Sequence, residues 1–258
     1  MGIGDELMAA GEAKKAAAGR RIKFRLLDKK DRPKWHFVWA GNPNIAGPME
    51  KVDAILQTYV DRRRPYLAES TPQRYVFKPY RPTPAYIQIP PNLIPLMSHA
   101  AGKVIVNPTI KLGASPNKRW MIQRWRALVE SAQDIKWLQI GHIDHGNKLK
   151  GAEGVYTHNF IEACALIAGA RAVVCHEGAL HHAAAAFGIP AVVIRGGYVS
   201  PEVTGYDGQV DFFEKTEAFP LGCGMRISCR HCDKAMARIE VGDVLKALRS
   251  LLEEKVAA

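Results

Sequence analysis

Residues 173–197, VVCHEGALHHAAAAFGIPAVVIRGG, decide the fold. Val173, Val174 and Cys175 form the short apolar run of a buried strand. Gly178 marks a turn, and residues 179–187 are mostly strong helix formers. Gly188 stands where a helix stops, Pro190 blocks its continuation, and residues 191–194 return to strand. This is a βαβ unit, which predicts a parallel sheet. His176, Glu177, His181 and His182 fall at the carboxyl end of the first strand and in the first turns of the helix. Ligands bind at that edge in open α/β sheets.

Working outward, the same alternation continues. Residues 103–107 and 137–140 read as strands, and residues 120–133 and 159–167 as helices. Residues 241–255 read as a terminal amphipathic helix with Val244, Leu245, Leu248, Leu251 and Leu252 on one face. Earlier in the chain, an Ala-rich helix is expected over 5–18 behind a Gly-x-Gly turn. Strands are expected at 22–27 and 37–40, and a helix at 51–59. Residues 65–95 carry eight prolines, which disfavour long helices and favour extended segments. The predicted class is α/β, with two Rossmann-like, doubly wound halves facing across a cleft. The N-terminal half, residues 1–102, is the smaller. Residues 103–258 form the second, and the last helix is placed back against the first half.

The chain has 258 residues, 47% of them hydrophobic, enough for a large core. No apolar run approaches the roughly 20 residues that cross a membrane. Residues 2–18 are interrupted by Asp5, Glu6, Glu12, Lys14 and Lys15, so they do not make a signal-peptide core. A cytoplasmic location is the expectation. The five cysteines do not suggest a secreted disulfide framework. The net charge is +11, and residues 1–102 hold 17 Lys and Arg against 9 Asp and Glu. One basic run, such as Arg62, Arg63 and Arg64, is usually a solvated face. A whole half biased this way points to a polyanionic partner: nucleic acid, a phosphorylated glycolipid or an anionic surface.

Four motifs carry chemistry. The first is Gly2-Ile3-Gly4-Asp5-Glu6. The second is Asn107-Pro108 followed by Ser115, Lys118, Arg119 and Trp120. The third is Glu177-Gly178-Ala179-Leu180-His181 leading into the Ala-rich helix and Gly-Ile-Pro. The fourth is Cys229-x-x-Cys232 followed by residues 235–239 and the final helix. In this order and spacing the sequence resembles the family 9 glycosyltransferases, heptosyltransferase-like enzymes of GT-B fold. The resemblance covers nearly the whole chain and is strongest over 103–250.

That resemblance implies transfer of a sugar from a nucleoside diphosphate to a hydroxyl, with inversion and without a metal. Such a reaction needs a base for the acceptor proton and positive groups for the leaving diphosphate. Asp5 matches the family's base, beside Gly4, with Glu6 as the fallback; the bland reading of Asp5 is a helix cap. Lys118 matches the family's phosphate lysine, with Arg119 beside it. The turn at Glu177 and Gly178 offers a helix N-terminus to the diphosphate, with His181 and His182 near it. Glu177 departs from the Asp usual in the family, and His176 and His182 are additions to its pattern. Asp144 is a candidate for ribose hydroxyls, with Gly141 and His142 beside it. Asn107 falls in the same cleft, and Thr157 and His158 stand where the nucleobase meets backbone. The resemblance implies a nucleoside diphosphate sugar as donor, of UDP or ADP type.

Cys223, Cys229 and Cys232 form C-x5-C-x2-C. Three thiolates with an imidazole suit a structural zinc, while packed, reduced thiols are the other reading. His231 reads as poorly placed to share an ion with Cys229 and Cys232. For the acceptor, the basic half suggests DNA carrying a hydroxymethylated pyrimidine. A compact, basic enzyme of this kind is similar to a phage-type DNA glycosyltransferase acting in the host cytoplasm. Arg62, Arg63 and Arg64 would hold phosphates, and Trp35, Trp39, Tyr66, Tyr75, Tyr80 and Tyr86 are available to stack on an extruded base. A lipopolysaccharide core or other phosphorylated glycan is the alternative acceptor. A non-catalytic nucleic-acid-binding protein on the same scaffold is the third reading.

Overall fold

The computed structural model describes residues 2–59 and 63–254. The first half opens with α1 (Ile3–Ala17), then β1 (Phe24–Leu27), β2 (Ala54–Gln57), β3 (Leu67–Ser70) and β4 (Tyr75–Phe77). The second half begins after α2 (Ile94–Ala100). It runs β5 (Val104–Asn107), α3 (Ile122–Glu130), β6 (Trp137–Gly141), β7 (Ala152–Tyr156) and α4 (Phe160–Gly169). Then come β8 (Ala172–His176), α5 (Ala179–Ala186), β9 (Ala191–Gly196), α6 (Pro201–Thr204), β10 (Gln209–Phe213), α7 (Arg230–Ala237) and α8 (Val241–Glu254).

Six strands form one parallel sheet in the order β10-β9-β8-β5-β6-β7. Both faces are covered, which is why the central strands are apolar throughout. Ile105, Val173, Cys175 and Val193 point to the side of α1, α4 and α5. Val104, Val106, Val174, Val192 and Ile194 point to the side of α3 and α8. The α/β class and the central parallel sheet expected from residues 173–197 are the ones observed.

Strand order reverses between β5 and β8. Chain continuing from β5 builds the sheet one way through β6 and β7, and β8 restarts it on the other side. The carboxyl ends of β5 and β8 therefore flank a switch point, where crossover connections diverge and leave a crevice.

The first half is small, as expected, but reduced further. Its parallel sheet has two strands, β1 and β2, too few to be doubly wound. Two local expectations are corrected, those for residues 37–40 and 51–59. Residues 37–40 form a 3-10 turn, Phe37–Trp39, because His36 Nδ1 accepts from the Val38 amide and Trp39 is drawn inward. Trp39 Nε1 donates to the Glu6 carbonyl at 2.8 Å and the ring is fully buried. Residues 51–59 contain β2 rather than a helix; Ala54 and Leu56 face inward while Ile55 and Gln57 face out, a period of two. Within the proline-rich stretch, α2 forms because Pro95 occupies its first turn, where no amide donor is needed.

Helix α8 also differs from its expected place. Val244, Leu248, Leu251 and Leu252 pack with Trp125, Leu128 and Val174 inside the second half, not against the first. The halves are joined by α2 against α4, by α1 against α5, and by a third cluster. There Met8, Tyr66, Leu67 and Phe77 meet Tyr198, Val199, Cys223 and Cys232.

Candidate active site

Gly4 sits where α1 meets α5. A Cβ on Gly4 would lie 2.8 Å from His182 Cδ2 and 3.7 Å from the Ala179 nitrogen. Only glycine allows this approach. It sets Asp5, in the first turn of α1, beside the N-terminus of α5. That terminus has no side-chain cap, and a Cβ on Gly178 would meet nothing within 4 Å. The space over it is open to a ligand, and the helix end favours an anion there.

Asp5 is engaged on three sides. Its Oδ2 accepts from the Gly2 amide at 2.9 Å and pairs with Arg64 Nη2 at 3.2 Å. Its Oδ1 accepts from the Tyr66 hydroxyl. The cap reading of Asp5 is thus correct geometrically, but a cap alone needs neither Arg64 nor Tyr66. Burial first, and then the Asp5 carboxylate, push the Tyr66 phenol far above its ordinary range, so it stays a donor. A cavity of about 20 Å³, enough for a water-sized group, opens beside Asp5. Glu12, Tyr59, Arg64, Tyr66 and Tyr80 line it. Glu6 points elsewhere: it is buried and pairs with Lys34 at 2.5 Å, beneath Trp39.

Across the switch point, Lys118 pairs with Glu177 and lies 4.9 Å over the Tyr198 ring. Burial alone would raise the Glu177 carboxyl, but the Lys118 ammonium, His181 and Arg195 together outweigh it and hold Glu177 well below the carboxylate range. Arg119 is exposed beside them. Asn107, at the end of β5, donates to the Ile140 carbonyl at 2.8 Å and accepts from Thr109, bracing the crevice floor. Gly141, at the end of β6, lets that amide approach: its Cβ would lie 3.0 Å from Asn107 Nδ2.

The histidines divide. His176 Nε2 accepts from the Trp120 amide at 2.9 Å, pinning the lysine-bearing loop to β8; burial lowers its pKa to about 3. His182 is held by Tyr206, ring nitrogen to hydroxyl 2.8 Å, and supports α1 through Gly4. His181 is fully buried, 3.7 Å from Glu177 Oε1, with neither ring nitrogen hydrogen-bonded among the described residues.

Asp144 closes its own turn, its Oδ1 accepting from Gly146 and Asn147. Its neighbour His142 stacks edge-on against Tyr156, which in turn meets His158. Sequence reading missed Tyr156, half exposed at the end of the edge strand β7. It also missed Arg195, a buried cation on β9. Arg195 pairs with Asp211 and donates to Thr204 Oγ1 at 2.7 Å, leaving Nη2 without a partner among the described residues. A lone arginine inside an apolar strand was the available signal.

The two described residues of the basic run divide, Arg63 exposed and Arg64 turned inward. Arg62 lies outside the described residues, Arg63 donates to the Ala68 carbonyl, and Arg64 turns inward onto Asp5. Of the aromatics offered for stacking, Trp39 and Tyr66 are buried, and Tyr80 donates to Glu12 at 2.8 Å. Tyr75 is covered by the guanidinium groups of Arg64 and Arg226; Trp35 and Tyr86 are exposed. No helix among the described residues is long and apolar enough to cross a membrane.

The cysteine expectation needs one correction. Cys223, Cys229, Cys232 and also His231 converge, with ligand atoms all within 4.8 Å of one another. Because Cys229 caps α7 and His231 and Cys232 follow in its first turn, the helical turn itself folds the imidazole back toward the sulfurs.

No protein-family model matches the sequence, and no characterised protein matches it by sequence. Solved structures do match. The chain is similar to the glycosyl transferase family 9 protein from Veillonella parvula DSM 2008, with a TM-score of 0.66 and 14% identity. The match spans 98% of this chain and 95% of that one. The chain has the fold of a family 9 glycosyltransferase. It is also similar to TibC from enterotoxigenic E. coli H10407, described as an iron-containing dodecameric glycosyltransferase. There the TM-score is 0.59 with 14% identity, over 99% of this chain and 74% of TibC. In this GT-B fold Glu177 and Gly178 directly follow β8 at the switch point, with Lys118 paired to Glu177.

Proposed function

We propose that the chain is an inverting glycosyltransferase that uses a nucleoside diphosphate sugar and needs no metal for transfer. The observation that carries this is the convergence of α1 and α5 at Gly4. It brings the first turn of α1, which carries Asp5, against the uncapped N-terminus of α5. Asp5 takes the proton of the acceptor hydroxyl as its oxygen attacks the anomeric carbon. The bond to the diphosphate breaks on the opposite side, and the leaving oxygen keeps the electron pair. Lys118, Arg119 and the first amides of α5 stabilise that charge. For Lys118 to reach phosphate it exchanges its contact with Glu177, which then remains beside His181. Tyr156, His142 and Asp144 stand where the nucleoside of a UDP- or ADP-type donor would extend.

For the acceptor, the placement of Arg64 favours a glycan hydroxyl near an anionic group, as on a phosphorylated core. A cation 3.2 Å from the base would read such an anion. Transfer to hydroxymethylated DNA rests on the charge of the first half. The burial of Trp39 and Tyr66 leaves less aromatic surface for an extruded base.

Labelled UDP-, ADP- and GDP-sugars offered with phosphorylated oligosaccharides and with hydroxymethylated DNA decide between these. Label in the glycan supports the first acceptor. Label in DNA that falls steeply with salt supports the second. DNA binding without turnover of any donor leaves the non-catalytic reading. If no nucleoside diphosphate shifts the melting temperature, the donor crevice assignment is wrong.

A further inference from the structure

Cys223 and Cys232 pack in one cluster with Tyr198, whose ring lies beneath the Lys118 ammonium. Cys223 and Cys232 Sγ are 2.8 Å apart and unbonded, and His231 Nδ1 is 3.8 Å from Cys232 Sγ. Thiols are weak hydrogen-bonding groups, so three of them gathered with an imidazole gain little from one another. A thiophilic cation changes that. Zinc sits about 2.3 Å from sulfur and about 2.0 Å from imidazole nitrogen, in a tetrahedron that four converging atoms can close. Two further observations point the same way. His231 Nε2 is buried with no hydrogen-bond partner among the described residues. Room for the ring is made by Gly197, where a Cβ would lie 2.4 Å from His231 Cε1.

The segment these ligands would pin is wired to the donor lysine. Asn117, directly before Lys118, is buried. Its Nδ2 donates to the carbonyls of Met225 at 2.8 Å and Ile227 at 2.7 Å, and its Oδ1 accepts from the Cys229 amide at 2.9 Å. Ser115 donates to the same Met225 carbonyl at 2.8 Å. Arg74, from the first half, donates to the Cys223 carbonyl at 2.8 Å. The loop between Cys223 and Cys229 is thus the bed on which residues 115–118 lie.

We propose that Cys223, Cys229, His231 and Cys232 hold one thiophilic divalent cation, zinc or ferrous iron, that fixes the 223–232 segment and through Asn117 the position of Lys118. The cation binds outside the crevice and takes no part in transfer. The site does not depend on the glycosyltransferase reading; it is tested without substrate.

The experiment uses the full chain expressed with and without added zinc or iron. Elemental analysis is expected to find about one zinc or iron per chain. Exchange with cobalt is expected to give the intense thiolate-to-metal absorption of a four-coordinate sulfur-rich site. His231→Gln retains the three sulfurs and should weaken cobalt binding by at least about tenfold, the effect of losing even an outer partner. Removing the metal with a chelator should speed amide exchange over residues 115–120 while residues 172–176 in β8 keep their protection. Metal-free protein with all three thiols freely reactive, or with a Cys223–Cys232 disulfide, overturns the site. Unchanged exchange at 115–120 after metal loss overturns the link to Lys118. Neither outcome bears on whether a nucleoside diphosphate binds.

Discussion

The Tyr66 hydroxyl, on the loop leading into β3, donates to Asp5 Oδ1 in the first turn of α1. A residue 61 positions away in sequence thereby orients the carboxylate that faces the uncapped end of α5. Arg64 holds the other oxygen. A carboxylate fixed this way keeps one geometry for a proton, which a base requires.

Asp5→Asn keeps the shape and the Gly2 contact but removes the base. Turnover should fall by about 10²–10⁴-fold, while the affinity for nucleoside diphosphate stays the same. Calorimetry of the diphosphate beside a transfer assay separates the two. Full turnover in this variant would reduce Asp5 to a helix cap. Tyr66→Phe removes one hydrogen bond and should cost about 1 kcal/mol of stability, with a larger loss in turnover than in donor affinity.

Gly4→Ala tests the joint between the halves. The added methyl meets the His182 ring, and that ring cannot retreat because it is buried and held by Tyr206. A loss of about 1–3 kcal/mol is expected, read as a lower melting temperature. An unchanged melting temperature would show that α1 is not seated on α5 as described.

Lys118→Ala strands a buried carboxylate. Glu177 is 8% exposed, and the lysine is the largest of the contacts that offset its burial. Breaking such a pair costs roughly 3 kcal/mol or more. Adding Glu177→Gln to Lys118→Ala should restore most of the stability in urea unfolding, since no charge is then left unpaired. Diphosphate affinity should stay low in the double variant. Recovery of affinity along with stability would remove Lys118 from the donor site.

Acid should destabilise the fold earlier than carboxylates alone would. Burial lowers the pKa of His176 to about 3, and lowers His181 and His182 as well. In the unfolded chain each binds a proton near pH 6.5, whereas in the fold burial disfavours that proton at all three and keeps His176 neutral down to about pH 3. The contribution of all three is complete above pH 6.5 and is lost as pH falls below it, by about 1.4 kcal/mol per pH unit for His176. Glu177, held low by Lys118, adds a loss of the same sign below about pH 4.3. Urea midpoints measured from pH 7.5 to 4.5 should hold down to about pH 6.5 and fall below it. His176→Gln should flatten the slope.

The sequence by itself determined the second half. Apolar runs such as 104–106 and 173–175, punctuated by Gly178, Gly188 and Pro190, encode buried strands and crossovers locally. Burial on both faces leaves no other reading of that pattern. The edge strands β7 and β10 were not legible, because half-exposed strands carry Glu153, Gln209 and Asp211 and lose the apolar signature. The motifs around Asp5, Lys118 and Glu177 were visible as residues, since each is a short local string. Their meeting was not. It depends on strand order, which puts β5 beside β8 although β6 and β7 intervene in the chain, and on a glycine that lets one helix end touch another. The inward turn of Arg64, the grip of Tyr66 on Asp5 and the entry of His231 among the cysteines were likewise decided only by packing. Each is a contact between separated elements or a rotation about a helix start, and neither leaves a periodic trace in sequence.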